Sequence, residues 1–161
     1  MSERQTILIR TARPADVTAI YGLLLNSYQE MAYVMPPPLE FHAFAWILRT
    51  MESGRVYLAE RGGQAVASVG LRQQTWEWNP TKPFLQDVWF YILPDARRGG
   101  TARGLMQAAK KLSEETKLPL FMGITTGTSP DLKERFYAMQ GLQYLGGFFA
   151  YTPSSSGGER P

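Results

Sequence analysis

The run Arg97-Arg98-Gly99-Gly100-Thr101-Ala102-Arg103 gathers three guanidinium groups around two consecutive glycines. Glycine has no Cβ, so a turn built on it can leave several backbone N–H groups exposed on one side. If a helix opens there, its first N–H groups have no internal partner and its dipole adds partial positive charge. Such a turn suits phosphate or pyrophosphate, and Arg97, Arg98 and Arg103 reinforce the field. By themselves the same residues also read as a tight strand-to-helix connection carrying solvated arginines.

The flanking residues supply both the strand and the helix. Leu85 to Leu93 is almost wholly apolar, the pattern of a strand buried on both faces. From Gly100, residues Ala102, Leu105, Met106, Ala109 and Leu112 recur on one helical face. Upstream, Thr6 to Arg10 reads as a strand, and Pro14 with Asp16 opens a helix through Ile20, Leu23, Leu24 and Tyr28. Gln29 to Glu40 is a loop, because Pro36 to Pro38 cannot continue a helix. Phe41, Phe44, Ala45, Leu48 and Met51 predict the apolar face of a second helix, stopped at Gly54. Arg55–Glu60 and Ala65–Leu71, joined at Gly62-Gly63, form an antiparallel pair, and Asn79 to Pro83 is a turn-rich loop. Downstream come a strand over Leu120–Thr125, a helix over Asp131–Gln140 capped by Gly141, and a last strand over Tyr144–Tyr151. The order predicts one mixed α/β domain over residues 1–152. Residues 153–161, PSSSGGERP, have no apolar side chain to bury and read as a disordered tail.

Composition narrows the chemistry. The chain has 161 residues, 44% hydrophobic and 19% charged, enough for a single packed core. A formal charge of +3 can attract a polyanionic small molecule but is no dense nucleic-acid footprint. Nucleic-acid binding through Arg97, Arg98, Arg103, Lys110 and Lys111 would need a contiguous basic face, and is not expected. With no cysteine there is no disulfide, thiolate metal site or Cys nucleophile, and the single His42 argues against a His-rich metal site. No metal is expected, and His42, just inside a helix start, reads as a packing or capping residue. No stretch approaches the roughly 20 apolar residues of a membrane span, and MSERQTILIR lacks the apolar core of a signal peptide. A soluble, cytoplasmic protein away from membranes is the expectation.

In this context the glycine turn resembles the acetyl-CoA motif of the GNAT superfamily of N-acetyltransferases. Arg97, Gly100 and Ala102 match it, directly after a strand ending Ile92-Leu93-Pro94. A second family signature is matched by Phe136-Tyr137 and, three residues on, Gly141-Leu142, where the family more often has Gly-Phe. The element order from Thr6 to Tyr151 also follows the family. The resemblance implies a mostly antiparallel mixed sheet flanked by helices, with two central strands that splay apart. The pantetheine arm of acetyl-CoA would lie in that gap, against the backbone of Tyr91, Ile92 and Leu93. Its pyrophosphate would sit on the turn from Arg98 to Arg103, including Gly99, Gly100, Thr101 and Ala102, beside Arg97. Ser129 would give a polar contact where the family often has an asparagine.

By the same resemblance, Tyr137 would protonate the departing thiolate. A phenol whose ordinary pKa is about 10 is a competent donor. Asp87 would take the proton of the incoming ammonium, with Glu77 as the next candidate. The implied reaction is acetyl transfer to a small-molecule or peptide amine by direct attack in a ternary complex. The alternative is a non-catalytic CoA-binding or interaction module on the same fold. Tyr28, Met31, Tyr33, Met35, Trp76 and Trp78 fall on the segments that would line the acceptor side, or else are ordinary core or dimer contacts. Few residues follow Gly141 before the tail, so the family's last two strands are reduced to one or to a tight hairpin at Gly146-Gly147. A second copy of the chain, as a homodimer, could then complete the acceptor wall.

Overall fold

The structure, a computed structural model, describes residues 6–31, 35–124 and 128–147. Five strands form one sheet in the order β1-β2-β3-β4-β5. They are β1 (Ile7–Thr11), β2 (Gly54–Arg61), β3 (Gln64–Trp76), β4 (Asn79–Ile92) and β5 (Leu120–Phe121). The first three pairings are antiparallel and β4–β5 is parallel. Helices α1 (Val17–Gln29) and α2 (Glu40–Ser53) cover one face. Helix α3 (Thr101–Thr116) packs on the other, and α4 (Pro130–Met139) follows β5.

Each face has its own core. Ile20 and Leu23 of α1 and Ile47 of α2 pack with Val56, Leu58, Trp89 and Tyr91. Leu105, Ala109 and Leu112 of α3 pack on Ala59, Val69, Leu71 and Leu85. Each large apolar side chain buried in this way contributes about 1.5–3 kcal/mol. Gly104 sets how closely α3 approaches the sheet, because a Cβ there would lie 2.3 Å from Ile9 Cδ1.

Four sequence expectations need correction. Asn79–Pro83 belongs to β4, because β3 and β4 continue to a two-residue turn at Glu77-Trp78. Pro80 lies where the register slips, since Thr75 pairs with Pro83 but Trp76 pairs with Asn79, so no ladder bond is lost to the missing N–H. Trp76 stacks on Trp78 and Phe84 at centroid distances of 5.0 and 4.3 Å and holds the tip together. The strand expected over Leu120–Thr125 is only Leu120–Phe121; Met122–Ile124 leave the sheet, and Thr125 lies outside the described residues.

The buried stripe of α2 is Ala43, Ile47 and Thr50, rotated from the predicted one, and Phe41 is exposed. Apolar residues occur all round this helix, so periodicity did not single out the face; Trp46 chose it by packing edge-on against Trp89 at 4.9 Å. The last strand does not form over residues 144–147, which are irregular, with Tyr144 and Leu145 exposed. Residues 148–151 of that expected strand and the tail lie outside the described residues.

Candidate active site

The central feature is a break in strand alternation. Gly70 pairs with Trp89 and Leu71 with Asp87, so Val88 is an extra residue, a β-bulge. Unbroken alternation would put Leu85, Asp87, Trp89 and Tyr91 on one face. After the bulge Trp89 and Tyr91 point into the α1–α2 core, while Leu85, Phe90 and Ile92 face α3. Gly70 makes room for this, since a Cβ there would meet the Trp89 ring at 2.5 Å.

At the same level β4 and β5 part. Among the described residues they pair only at Leu85–Leu120 and Gln86–Phe121, leaving one edge of β4 without a strand partner from Asp87 to Ile92. The Leu93 N–H donates to Val66 C=O, 2.9 Å. Alternation therefore turns the backbone of Tyr91 and the Leu93 N–H toward β3, and that of Ile92 and Phe90 into the gap. Of the expected edge Tyr91 to Leu93, the backbone that faces the gap is that of Ile92, with Phe90 beside it. The gap opens into a cleft of about 1010 Å³ reaching both faces of β4.

Asp87 and Tyr137 meet at the floor of the splay. The Gly123 N–H donates to Asp87 Oδ1 at 2.8 Å, and the Tyr137 hydroxyl donates to Gly123 C=O at 3.3 Å. Burial pushes Asp87 up to about 6, against the pull of the Gly123 N–H and its own backbone N–H. Burial raises the Tyr137 phenol as well, and the nearby Asp87 charge raises it further. Phe90 stacks on the Tyr137 ring at 6.4 Å and fixes its tilt. The pair offers one carboxylate that ionises near neutrality and one phenol that keeps its proton.

The glycine turn lies where β4 meets α3. Gly99 and Gly100 have φ of +95° and +92°, and Gly100 is the N-cap of α3. An added Cβ would touch nothing within 4 Å at either position, so the backbone is open to approach. The first α3 amides are thus presented to an anion, a cradle that fits a pyrophosphate. Arg98 and Arg103 are exposed and make no ion pair among the described residues. Ala102 and Ser129, the latter a left-handed N-cap of α4 with φ +46°, line the cleft. Thr101 differs from expectation: its side chain is fully buried and its hydroxyl has no partner among the described residues, so only its amide faces outward.

Arg97 also differs. Its Nε donates to Ile92 C=O at 3.1 Å, its guanidinium pairs with Glu30, and it lies 5.9 Å from the Tyr91 ring centroid. The Tyr91 hydroxyl donates to the other Glu30 oxygen, 2.5 Å. Burial disfavours the Glu30 charge, but the bonds from Tyr91 and Arg97 outweigh it and hold its pKa below the usual range. Burial and Glu30 together raise the Tyr91 phenol. Sequence reasoning missed Glu30, because a lone acid at the end of a helix has no distinguishing pattern.

Several other candidates are resolved by position. Glu77 is exposed at the hairpin tip and does not line the cleft, nor do Trp76 and Trp78. Tyr28, Met31 and Met35 do line it, and Tyr33 lies outside the described residues. His42 lines the cleft from the first turn of α2, exposed and edge-on to Phe41. Of the basic residues, Arg97 is held by Glu30, Lys110 donates to Gln140 C=O, and Lys111 pairs with Glu115. Among the described residues no acid–histidine cluster could hold a metal, and no helix is long and apolar enough to cross a membrane.

A bulged strand, a splayed neighbour and an open glycine turn at a helix start characterise this mixed α/β fold. The acetyltransferase (GNAT) domain family matches residues 52–141, more than half of the chain. The protein therefore belongs to the GNAT superfamily and is an N-acetyltransferase. No curated protein matches closely. Among solved structures, it is similar to a ribosomal-protein-alanine N-acetyltransferase from Brucella melitensis biovar Abortus 2308, with TM-score 0.70, 17% identity, and 94% of this chain and 99% of that one covered. It is also similar to a predicted acetyltransferase with acetyl-CoA from Clostridium acetobutylicum, with TM-score 0.68, 14% identity and coverage of 91% and 96%. An aminoglycoside acetyltransferase from an uncultured soil metagenomic sample gives TM-score 0.68 at 16% identity, covering 92% and 97%. At these identities the likeness is one of fold.

Proposed function

We propose that this protein, as one domain over residues 1–152, transfers the acetyl group of acetyl-CoA to an amine by direct attack in a ternary complex. Acetyl-CoA supplies the activated acyl thioester. The amides of Gly99 to Arg103, with Arg98 and Arg103, would hold its pyrophosphate, and the gap-facing backbone of Phe90 and Ile92 its pantetheine arm. Asp87 takes the proton of the incoming ammonium, directly or through one water, and is ionised to do so above pH about 6. Tyr137 keeps a proton at its hydroxyl for the leaving sulfur. Rate comes from juxtaposing the reactants and moving two protons.

The observation that carries this reading is the meeting of Asp87 and Tyr137 on the two sides of Gly123, where β4 and β5 part. Thiol release from acetyl-CoA, followed with and without amines, tests it. Amine-dependent release with an acetylated product is expected. Acetyl-CoA binding without such release would make the chain a binding module.

A further inference from the structure

The acceptor's chemistry can be read from the opposite wall, on the acetyl-transfer reading above. The α1–α2 side of the cleft is mostly apolar, with Leu24, Tyr28, Met31, Met35, Leu39 and Trp46, and its uncharged polar side chains are Ser27 and His42. Two carboxylates line the cleft, Glu30 and Asp87, against two cations, Arg97 and Lys133. Glu30 is occupied by Arg97 and Tyr91, and Asp87 lies on the other side of the bulge, tied to Gly123. One ammonium can be received at Asp87, and among the described residues no further carboxylate lines the cleft for a second. An ammonium desolvated without counter-charge is costly, whereas aromatic rings and thioethers favour an apolar, flat body.

We infer that the acceptor is a monoamine whose single ammonium is carried on an apolar, preferably aromatic, body, and not a polyamine or aminoglycoside. A free arylalkylamine and a peptide N-terminus with an aromatic first residue share that chemistry.

The test measures kcat/KM for thiol release with 2-phenylethylamine, a Phe-Ala-Ala amide, spermidine and kanamycin. At least one of the first two should exceed both polycations by about tenfold or more, the discrimination an apolar pocket supplies. The ratio between those two tells a free amine from a peptide. Leu39→Asp places a carboxylate at the rim. Leu39 is 67% exposed and is the N-cap of α2, a position where Asp is favoured, so the fold should be kept. This variant should move the monoamine-to-spermidine ratio roughly fivefold toward spermidine, the effect of one solvated charge pair. A polycation used as well as the monoamine would overturn the acceptor class and leave acetyl transfer standing, and an unchanged ratio in Leu39→Asp would overturn the role of this wall. If acetyl-CoA raises the melting temperature but no amine drives thiol release, the acetyl-transfer reading fails and this inference with it.

Discussion

The two walls of the cleft are built by different means. The α3–α4 wall presents the open glycine turn at Gly99–Gly100 and the Asp87–Tyr137 pair fixed on Gly123. The α1–α2 wall is mostly apolar, and its carboxylate among the described residues, Glu30, ties the end of α1 to Tyr91 and Arg97. The bulge at Val88 keeps the two apart by putting Asp87 and Trp89 on opposite faces of one strand. Chemistry and recognition are therefore separable here, and substitutions on the two walls should fail differently.

The largest break should come from Gly100→Asp. Its φ of +92° disfavours any side chain, and the added negative charge opposes a pyrophosphate. Affinity for acetyl-CoA, measured by calorimetry, should fall by about 10³ or more, and the stabilisation by ligand should vanish from a thermal melt. An unaltered affinity in a folded variant would remove the amide turn from the site.

Tyr137→Phe should leave that affinity unchanged and lower kcat by about 10³, within the usual range for a general acid. Wild-type turnover under conditions where chemistry limits the rate would make Tyr137 a packing residue under Phe90.

For Asp87→Asn the rate should fall about 10² below pH 7, with the defect shrinking as pH rises and the amine loses its own proton. Stability should move the other way. The folded state raises Asp87 from 3.8 to about 6, so it binds the proton more tightly than the unfolded chain does. The ionised side chain therefore costs stability fully above pH about 6, and not at all below about 3.8. In urea melts at pH 8 the Asn variant should equal or exceed wild type, and the difference should close toward pH 4. A variant less stable at pH 8 than at pH 4, relative to wild type, would contradict the burial of this carboxylate.

The smallest effect sharpens the other wall. Glu30→Gln should cost about 1 kcal/mol at pH 7, since the pair with Arg97 is partly solvated. Because the folded state holds Glu30 below its usual 4.5, the wild-type advantage is present above that pH and is lost as pH falls through the depressed value. Melts at pH 7 and pH 3 would show the gap closing; a large loss of kcat at constant stability would instead move Glu30 into the chemistry.

How much was legible follows from how local each feature is. The glycine turn, the α3 face with Leu105, Ala109 and Leu112, and the family signature at Phe136-Tyr137 are fixed by residues close together in sequence, and they could be read directly. The β3–β4 turn at Glu77-Trp78, the α2 face and the shortness of β5 depend on ring packing between distant elements. Local propensity gave a loop, a rotated stripe and a longer strand. Asp87 and Tyr137 were nameable as types, but their meeting at Gly123 requires three segments to converge. Glu30 was invisible, since its role is made by Tyr91 and Arg97, far along the chain. The sequence by itself determined the fold class and the glycine turn, because turn chemistry and helical periodicity are short-range. Only the tertiary structure decided which face of β4 carries Asp87, because one bulged residue reverses the alternation and its placement depends on Gly70 making room for Trp89.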